Sequence, residues 1–194
     1  IITGLRIDHP DGLLDPAAYF EQLQATYRQT VTHKIESRDE TTKEKQLYVV
    51  VEKILSGDEP LPANWAVSGT TGYELLNQLS SVLVDAEGVK KLQSFYHEAT
   101  GITETPRDIA YAGKQIILQD AMASELFVLA SRLFRMARAN RYSCDFTLPV
   151  LQQALREYIA CFSVYRTYIR PYGWDVETDD HGRIREAIRW AKIR

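Results

Sequence analysis

The sequence predicts a mainly α-helical chain that opens with a strand–helix–strand unit. Two short apolar, β-branched segments within the first 52 residues enclose a helical pattern, as in a βαβ unit with parallel strands. The rest of the chain repeats apolar residues at helical spacing between turn and capping signals. A composition of 45% hydrophobic and 25% charged residues is typical of a soluble globular protein.

The opening unit has clear local signals. The first predicted strand covers residues 3–8 and ends at Asp8. A dense turn signal follows, and Asp15 with Pro16 forms an N-cap and a first helical position for a helix that runs to about Thr30. The second predicted strand, 47–52, is a continuous apolar run that ends at Glu52, which favours a strand covered on both faces.

The remaining elements are predicted to be helices. One pattern begins at Tyr73, and a second helix is predicted from Asp85 to His97. Thr105 opens a long helix that is predicted to continue unbroken to about Asn140. Two further helices are predicted to begin at Thr147 and Thr178.

Charge and composition exclude several classes of function. Lys and Arg (23) are slightly fewer than Asp and Glu (26), so no basic field indicates nucleic-acid binding. No apolar stretch approaches the ~18 residues of a membrane span. Cys144 and Cys161 are too few for a disulfide framework and are predicted to be buried thiols in a reducing, cytoplasmic compartment. No metal site and no cofactor are predicted, since the histidines lie far apart.

The start of the chain predicts that it is an internal fragment. It begins at Ile1 without an initiator Met, in an apolar, β-branched run that predicts a strand already under way. Two parallel strands alone leave edges and faces uncovered. We therefore expect a piece of a longer protein, whose exposed strands could pair between copies into a dimer that the intact protein lacks.

Two carboxylates and an arginine are the candidate site. Arg6 and Asp8 share one face of the first strand, and Glu52 ends the second. If the strands are neighbours, ~4.8 Å apart, both carboxylates lie at the carboxyl ends of a parallel sheet, where catalytic groups collect. A close pair of carboxylates suits retaining glycoside chemistry. Arg6 would keep Asp8 ionised, whereas Glu52, which has no fixed cation nearby on its own face, would keep a proton as general acid.

A structural interpretation of the same residues stays open at this point. The segment that follows Ile7 is rich in turn formers, so Asp8 and Asp11 could be Asx-turn residues. In that case the two carboxylates would only cap loops.

Four segments resemble one branch of the α-amylase superfamily of glycoside enzymes, the maltooligosyl trehalose synthase family. Gly4-Leu5-Arg6-Ile7-Asp8-His9-Pro10-Asp11-Gly12-Leu13 is similar to the nucleophile segment of that superfamily, and Val51-Glu52-Lys53-Ile54-Leu55 to the acid/base segment of the family. Residues 65–74 and 164–168 resemble two further stretches of it. The first motif alone recurs widely, but the four in this order are specific and cover residues 3 to about 170.

The resemblance implies a (β/α)₈ barrel with a family-specific helical insertion. Residues 1–65 would hold the fourth strand, a helix and the fifth strand, and residues 66–194 the helical subdomain. It implies that Asp8 is the nucleophile, Glu52 the general acid/base, Arg6 the partner that orients Asp8, and His9 a sugar contact. The reaction implied is intramolecular transglucosylation of a maltooligosaccharide or α-glucan, which converts the reducing-end α-1,4 linkage into an α,α-1,1 linkage.

The same resemblance implies that this chain alone is inactive, because the superfamily uses a third carboxylate from a later strand. Two other functions remain alternatives. One is an α-glucan hydrolase or another transglycosylase of the superfamily. The other is a non-catalytic, glucan-binding or scaffold role for the helical part.

Overall fold

The computed structural model describes residues 2–34, 46–170 and 178–194. The chain divides into two compact units, Ile1–Val89 and Lys90–Arg194. The division at 65/66 that the resemblance implies separates a barrel segment from an insertion, and it stays a prediction.

The first unit contains a small parallel sheet. Within the described residues the strands β1 (Gly4–Ile7), β2 (Tyr48–Val51) and β3 (Gly69–Thr70) pair in the order β1-β2-β3. The elements between and after them are a 3₁₀ turn (Pro10–Gly12), α1 (Pro16–Lys34), α2 (Tyr73–Val82) and α3 (Ala86–Thr100), the last of which continues into the second unit.

The third strand corrects the prediction of two. The sequence predicts only the strands 3–8 and 47–52, but Val50 and Val51 also pair with Gly69 and Thr70. The pairing is extended on one side by Ser68, whose N–H donates to the Val49 carbonyl at 2.7 Å. A strand of two residues is too short to show a period of two, and glycine has a low β propensity, so no local signal marks β3.

Helix α1 covers one face of this sheet. Phe20, Val49 and Val51 are fully buried, and the Phe20 ring lies 5.3 Å from that of Trp65 between centroids. Tyr48 on the opposite face of β2 is 60% exposed. The sequence predicts that β2 is covered on both faces, but the described residues cover only one of them.

A buried amide attaches α1 to the chain segments beside it. The Gln24 side chain donates to the carbonyls of Leu47 and Ala66, both at 3.0 Å, and accepts from the Leu47 N–H at 2.9 Å. The predicted start of α1 is confirmed, since the Asp15 carboxylate accepts from the Ala18 N–H at 3.0 Å. The helix ends four residues later than predicted, at Lys34.

The second unit packs its helices around a small apolar cluster. Helices α4 (Pro106–Gln119), α5 (Ala123–Arg138), α6 (Leu148–Ala160) and α7 (Thr178–Ala191) follow the remainder of α3. The buried residues Leu118, Leu126 and Ala160 form the cluster, and Tyr111, Leu155 and Ile159 pack against it. The predicted capping box of Thr105 and Asp108 is present in full.

The single long helix predicted from Thr105 to Asn140 is wrong. The chain breaks at 120–122 into α4 and α5. In a continuous helix Leu118 and Leu126 would be separated by ~12 Å along the axis, yet both enter the same buried cluster with Ala160 of α6. Packing against α6 therefore overrides the helical propensity of the connecting residues.

Two further predictions concern the cysteines and membrane-spanning segments. Cys144 and Cys161 are free and only half-buried, which corrects the prediction of buried thiols. Partial burial raises the pKa of the Cys161 thiol. Among the residues that the structure describes, no helix has the length and apolar character needed to cross a membrane.

Candidate active site

The two candidate carboxylates lie side by side at the carboxyl ends of β1 and β2. The strands are parallel neighbours, with Arg6 opposite Val50 and Ile7 opposite Val51. The Glu52 N–H continues this ladder by donating to the Ile7 carbonyl at 2.9 Å. The next residue on each strand path is the carboxylate, so the expected juxtaposition of Asp8 and Glu52 is present.

Arg6 bridges the two carboxylates. Its Nη1 lies 2.9 Å from Oδ1 of Asp8 and its Nη2 lies 3.2 Å from Oε1 of Glu52. The planar guanidinium presents donors in a fixed fork, which suits contact with two acceptors at once. The prediction that Glu52 has no fixed cation nearby is therefore wrong, because it considered only the strand that carries Glu52 and the cation comes from the neighbouring one.

The pair has a distinct electrostatic character. The Glu52 carboxyl is the largest influence that holds the pKa of Asp8 below its ordinary value, and the hydrogen bond from Arg6 is the second. Asp8 in turn raises the pKa of Arg6. The lowered pKa of Asp8 agrees with the expectation that Arg6 keeps this carboxyl ionised. The Asp8 side chain is nevertheless 74% exposed.

The spacing of the two carboxylates bears on stereochemistry. Inverting glycosidases place a water between carboxyls that are ~6.5–9.5 Å apart, whereas retaining enzymes hold them closer. Asp8 and Glu52 follow paired residues of adjacent parallel strands, which lie ~4.8 Å apart, and one guanidinium contacts both carboxylates. The arrangement therefore favours a nucleophile and an acid/base over a water-activating pair.

Tyr73 is a member of the site that the residue-level argument missed. Its hydroxyl donates to Oε1 of Glu52 at 3.3 Å. With Arg6, Thr71, Gly72 and Leu76, it lines an open cavity of about 290 Å³. The signal that could have identified it is its position in the segment 65–74, the third of the four resembling stretches.

Local backbone chemistry explains how Tyr73 reaches Glu52. Pairing with β2 continues past β3, since the Thr71 N–H donates to the Val51 carbonyl at 3.0 Å. Gly72 then adopts a φ of 91°, a left-handed conformation that glycine tolerates, as the residue before α2. Its N–H donates to the Thr70 hydroxyl at 3.1 Å, and that hydroxyl also contacts Glu74. The sharp turn starts α2 beside the carboxyl end of β2.

His9 is placed next to the site by an unusual backbone. It is exposed and has φ 41° and ψ 58°, and no other described non-glycine residue has a positive φ. Its charge is among the lesser influences that lower the pKa of Asp8. The structure thus brings all four sequence-predicted site residues, Arg6, Asp8, His9 and Glu52, to one end of the sheet.

Comparison with known proteins gives a consistent result. No protein-family profile matches the chain. Two curated proteins of Mycobacterium tuberculosis, from strains CDC 1551 and H37Rv, bear the name maltooligosyl trehalose synthase and are each 29% identical to it over 167 residues. That match covers 86% of this chain and 19% of each relative, so the chain spans about a fifth of their length.

Two solved structures that match the chain are also trehalose-forming synthases by name. The maltooligosyltrehalose synthase of Arthrobacter ramosus matches 98% of this chain with a TM-score of 0.67 and 29% identity, and 20% of that protein is covered. A glycosyltrehalose synthase of strain DSM5389 matches with a TM-score of 0.62 and 26% identity, again over 98% of this chain and 23% of the other. Curated relatives and solved structures therefore agree that this chain is similar to a part of maltooligosyl trehalose synthase.

Proposed function

We propose that this chain is the segment of a maltooligosyl trehalose synthase that carries its nucleophile and its general acid/base. Within a (β/α)₈ barrel it would supply the fourth and fifth strands and a helical insertion. The observation that carries the proposal is the bridge from Arg6 to Asp8 and Glu52 at the ends of adjacent parallel strands. The similarity to synthases over 98% of the chain supports the choice of reaction within glycoside chemistry.

The first step of the proposed reaction forms a glycosyl ester. Ionised Asp8 attacks the anomeric carbon of the penultimate glucose unit, and the bond from that carbon to the leaving oxygen breaks. Glu52 gives its proton to that oxygen, so glucose is released within the site. Arg6 keeps Asp8 anionic and fixes its orientation through the 2.9 Å contact.

The second step reverses the role of Glu52. The freed glucose rotates, and Glu52, now a base, takes the proton from its anomeric hydroxyl. That oxygen attacks the glycosyl carbon, the bond to Asp8 breaks, and an α,α-1,1 linkage forms. Glucose must win over water in this step, which is why such a site benefits from exclusion of solvent. Tyr73 on Glu52 and His9 beside Asp8 are the described groups that we assign to contacts with the bound sugar rings.

The decisive test follows the reducing end of maltopentaose with the full-length protein. Proton NMR is expected to show loss of the reducing-end anomeric signals with no shorter sugars. Growth of those signals would mean hydrolysis and would replace the mutase by an α-glucan hydrolase. Binding without turnover, titrated by calorimetry, would favour the glucan-binding or scaffold role.

Substitutions assign the roles. Asp8→Asn is expected to abolish turnover, and Glu52→Gln to lower it by about 10²–10⁴-fold, the usual contribution of a general acid or base. Asp58→Asn is the matched control, because it removes an exposed carboxylate from the loop that follows Glu52. Full activity of Asp8→Asn would contradict the assignment of the nucleophile.

The 194-residue chain by itself is expected to be inactive on maltopentaose. The resemblance places a third essential carboxylate in a segment that the chain does not contain. Turnover by the isolated chain, at a rate above that of a Glu52→Gln control, would contradict this expectation.

A further inference from the structure

Three charged side chains form a buried cluster close to the candidate site. The Lys53 ammonium lies 2.8 Å from Oε1 of Glu59 and 3.4 Å from Oδ2 of Asp11. The side chains of Lys53, Glu59 and Asp11 are 1%, 9% and 10% exposed. We call these three residues the Lys53 cluster. None of them is part of the proposed chemistry.

Stability alone is a poor explanation for the Lys53 cluster. Removing each ion from water costs several kcal/mol, and replacing a buried ion group with apolar residues is often neutral or stabilising. The cluster also holds two carboxylates against one ammonium, so it carries like charges in a small buried volume. A buried arrangement of this kind is better explained by the geometry that it imposes.

The cluster joins the two segments that carry the candidate carboxylates. Lys53 directly follows Glu52, and Asp11 lies three residues after Asp8 in the 3₁₀ turn. The hydrogen bond from the Glu52 N–H to the Ile7 carbonyl, at 2.9 Å, links the backbones of these segments. Beyond it, the contact between Lys53 and Asp11 continues to hold the segments together by side chains.

The turn that the cluster holds is strained next to the nucleophile. His9, between Asp8 and the turn, has φ 41°, and a non-glycine residue in this left-handed region persists only where its surroundings impose it. Gly12 contributes by donating its N–H to the His9 carbonyl at 3.1 Å. Asp11, bound to Lys53 beneath the surface, is the side-chain anchor of the same turn.

We propose that the Lys53 cluster is a positioning device that sets the distance between the Asp8 and Glu52 carboxyls by holding the turn after Asp8 against the loop after Glu52. This inference rests on the proposed function for its catalytic consequence. Asp11, Lys53 and Glu59 act through the two carboxylates and touch no substrate. A misplacement of ~1 Å in such a site lowers the rate by about 10²-fold, so loss of the cluster is expected to affect turnover.

The kinetic test uses the full-length protein and a variant that leaves no unpaired buried charge. The triple variant Asp11→Asn/Lys53→Met/Glu59→Gln is expected to lower kcat by about 10²-fold with little change in KM. Lys53→Arg retains the charge and is expected to recover part of the activity. If the triple variant does not fold, Glu59→Gln alone leaves a neutral pair of Lys53 and Asp11 and is expected to show a smaller loss of kcat.

A matched control separates positioning from stability. Gln24→Met removes the buried hydrogen bonds to Leu47 and Ala66 in the same unit, at the opposite end of β2 from Glu52. It is expected to lower Tm while leaving kcat unchanged. Unchanged kcat in a folded triple variant, or a loss of kcat that Gln24→Met reproduces at equal Tm, would overturn the inference.

A structural experiment tests the effect of the Lys53 cluster on the geometry of the site independently of activity. Crystal structures of the wild type and the triple variant are expected to differ at His9, which leaves the left-handed region, and in the distance between the Asp8 and Glu52 carboxyls, which increases. Retention of both features in the variant would overturn the inference even in an active enzyme. A wild type that does not convert maltopentaose would instead refute the proposed function, and the two failures are thus distinguishable.

Discussion

At the scale of single residues, the candidate site depends on one guanidinium shared by two acids. Arg6 contacts both Asp8 and Glu52. The shared cation offsets the repulsion that two close carboxylates would otherwise experience. Asp8, the acceptor with the lowered pKa, is thereby prepared to act as an anion.

Arg6→Met tests this arrangement through the pH dependence of the full-length protein. Because Arg6 lowers the pKa of Asp8, its removal raises that pKa, and Asp8 stays protonated to a higher pH. The acid limb of kcat/KM is therefore expected to move to higher pH. Arg6→Lys, which keeps a positive charge without the fork, is expected to move it less. A limb at the same pH in Arg6→Met would show that Arg6 does not control the ionisation of Asp8.

At the scale of elements, the start of α4 shows how a helix cap makes a pH-dependent contribution to folding stability. The Thr105 hydroxyl and N–H donate to Asp108, and Arg194 also contacts this carboxylate. These bonds lower the pKa of Asp108 from 3.8 to about 2, and the bond from the Thr105 hydroxyl is the largest cause, followed by that from Arg194. The carboxylate is stabilised only while it is ionised.

The cap predicts an acid transition in stability. Because the pKa of Asp108 is lower in the folded state, its contribution is fully present above pH 3.8 and is lost as the pH falls through about 2. Thermal unfolding of the chain between pH 5 and pH 2 is expected to show a steeper decrease in Tm for the wild type than for Asp108→Asn. Parallel curves for the two proteins would contradict this contribution.

The break between α4 and α5 predicts which leucines carry the packing of the second unit. Leu126→Ala removes a side chain that is 3% exposed and is expected to cost about 2–5 kcal/mol in the free energy of unfolding. Leu129→Ala, on the same helix but 46% exposed, is the matched control and is expected to cost much less. Urea denaturation measures both, and equal losses would indicate that Leu126 is not in the core.

At the scale of the whole molecule, the chain matches about a fifth of its relatives and presents apolar surface on its own. When the described residues are considered, every side chain of α2 is at least partly exposed to solvent. Leu75, Leu76 and Leu79 are each more than half exposed. In the described sheet, β1 and β3 each pair on one side only. Strand edges of this kind are templates for pairing with another chain.

We therefore expect the isolated chain to self-associate, as the sequence already predicted. Analytical ultracentrifugation should show a dimer whose population rises with concentration. Ile2→Lys places a charge beside the outer edge of β1, where Ile2 is 72% exposed, and is expected to weaken the dimer. Leu14→Lys, equally exposed at 76% but in a loop, is the control. A monomer at all concentrations would contradict the prediction.

The local part of this structure was predictable from the sequence. The caps at Asp15 and Thr105 and the ends of the first two strands at Asp8 and Glu52 follow from patterns within a few residues. The juxtaposition of the two carboxylates follows once these strands are taken as parallel neighbours. Such signals persist because backbone hydrogen bonding and apolar periodicity are short-range properties.

The rest was decided only by the tertiary structure, because it joins residues that no local pattern relates. The contact of Arg6 with Glu52 crosses strands, Tyr73 reaches Glu52 from 21 residues away, and the two-residue β3 forms only where β2 offers its open edge. The break after α4 is imposed by packing on α6. The sequence by itself determined the candidate residues; the fold determined which of them share a cation, since contact energies depend on distance in space rather than along the chain.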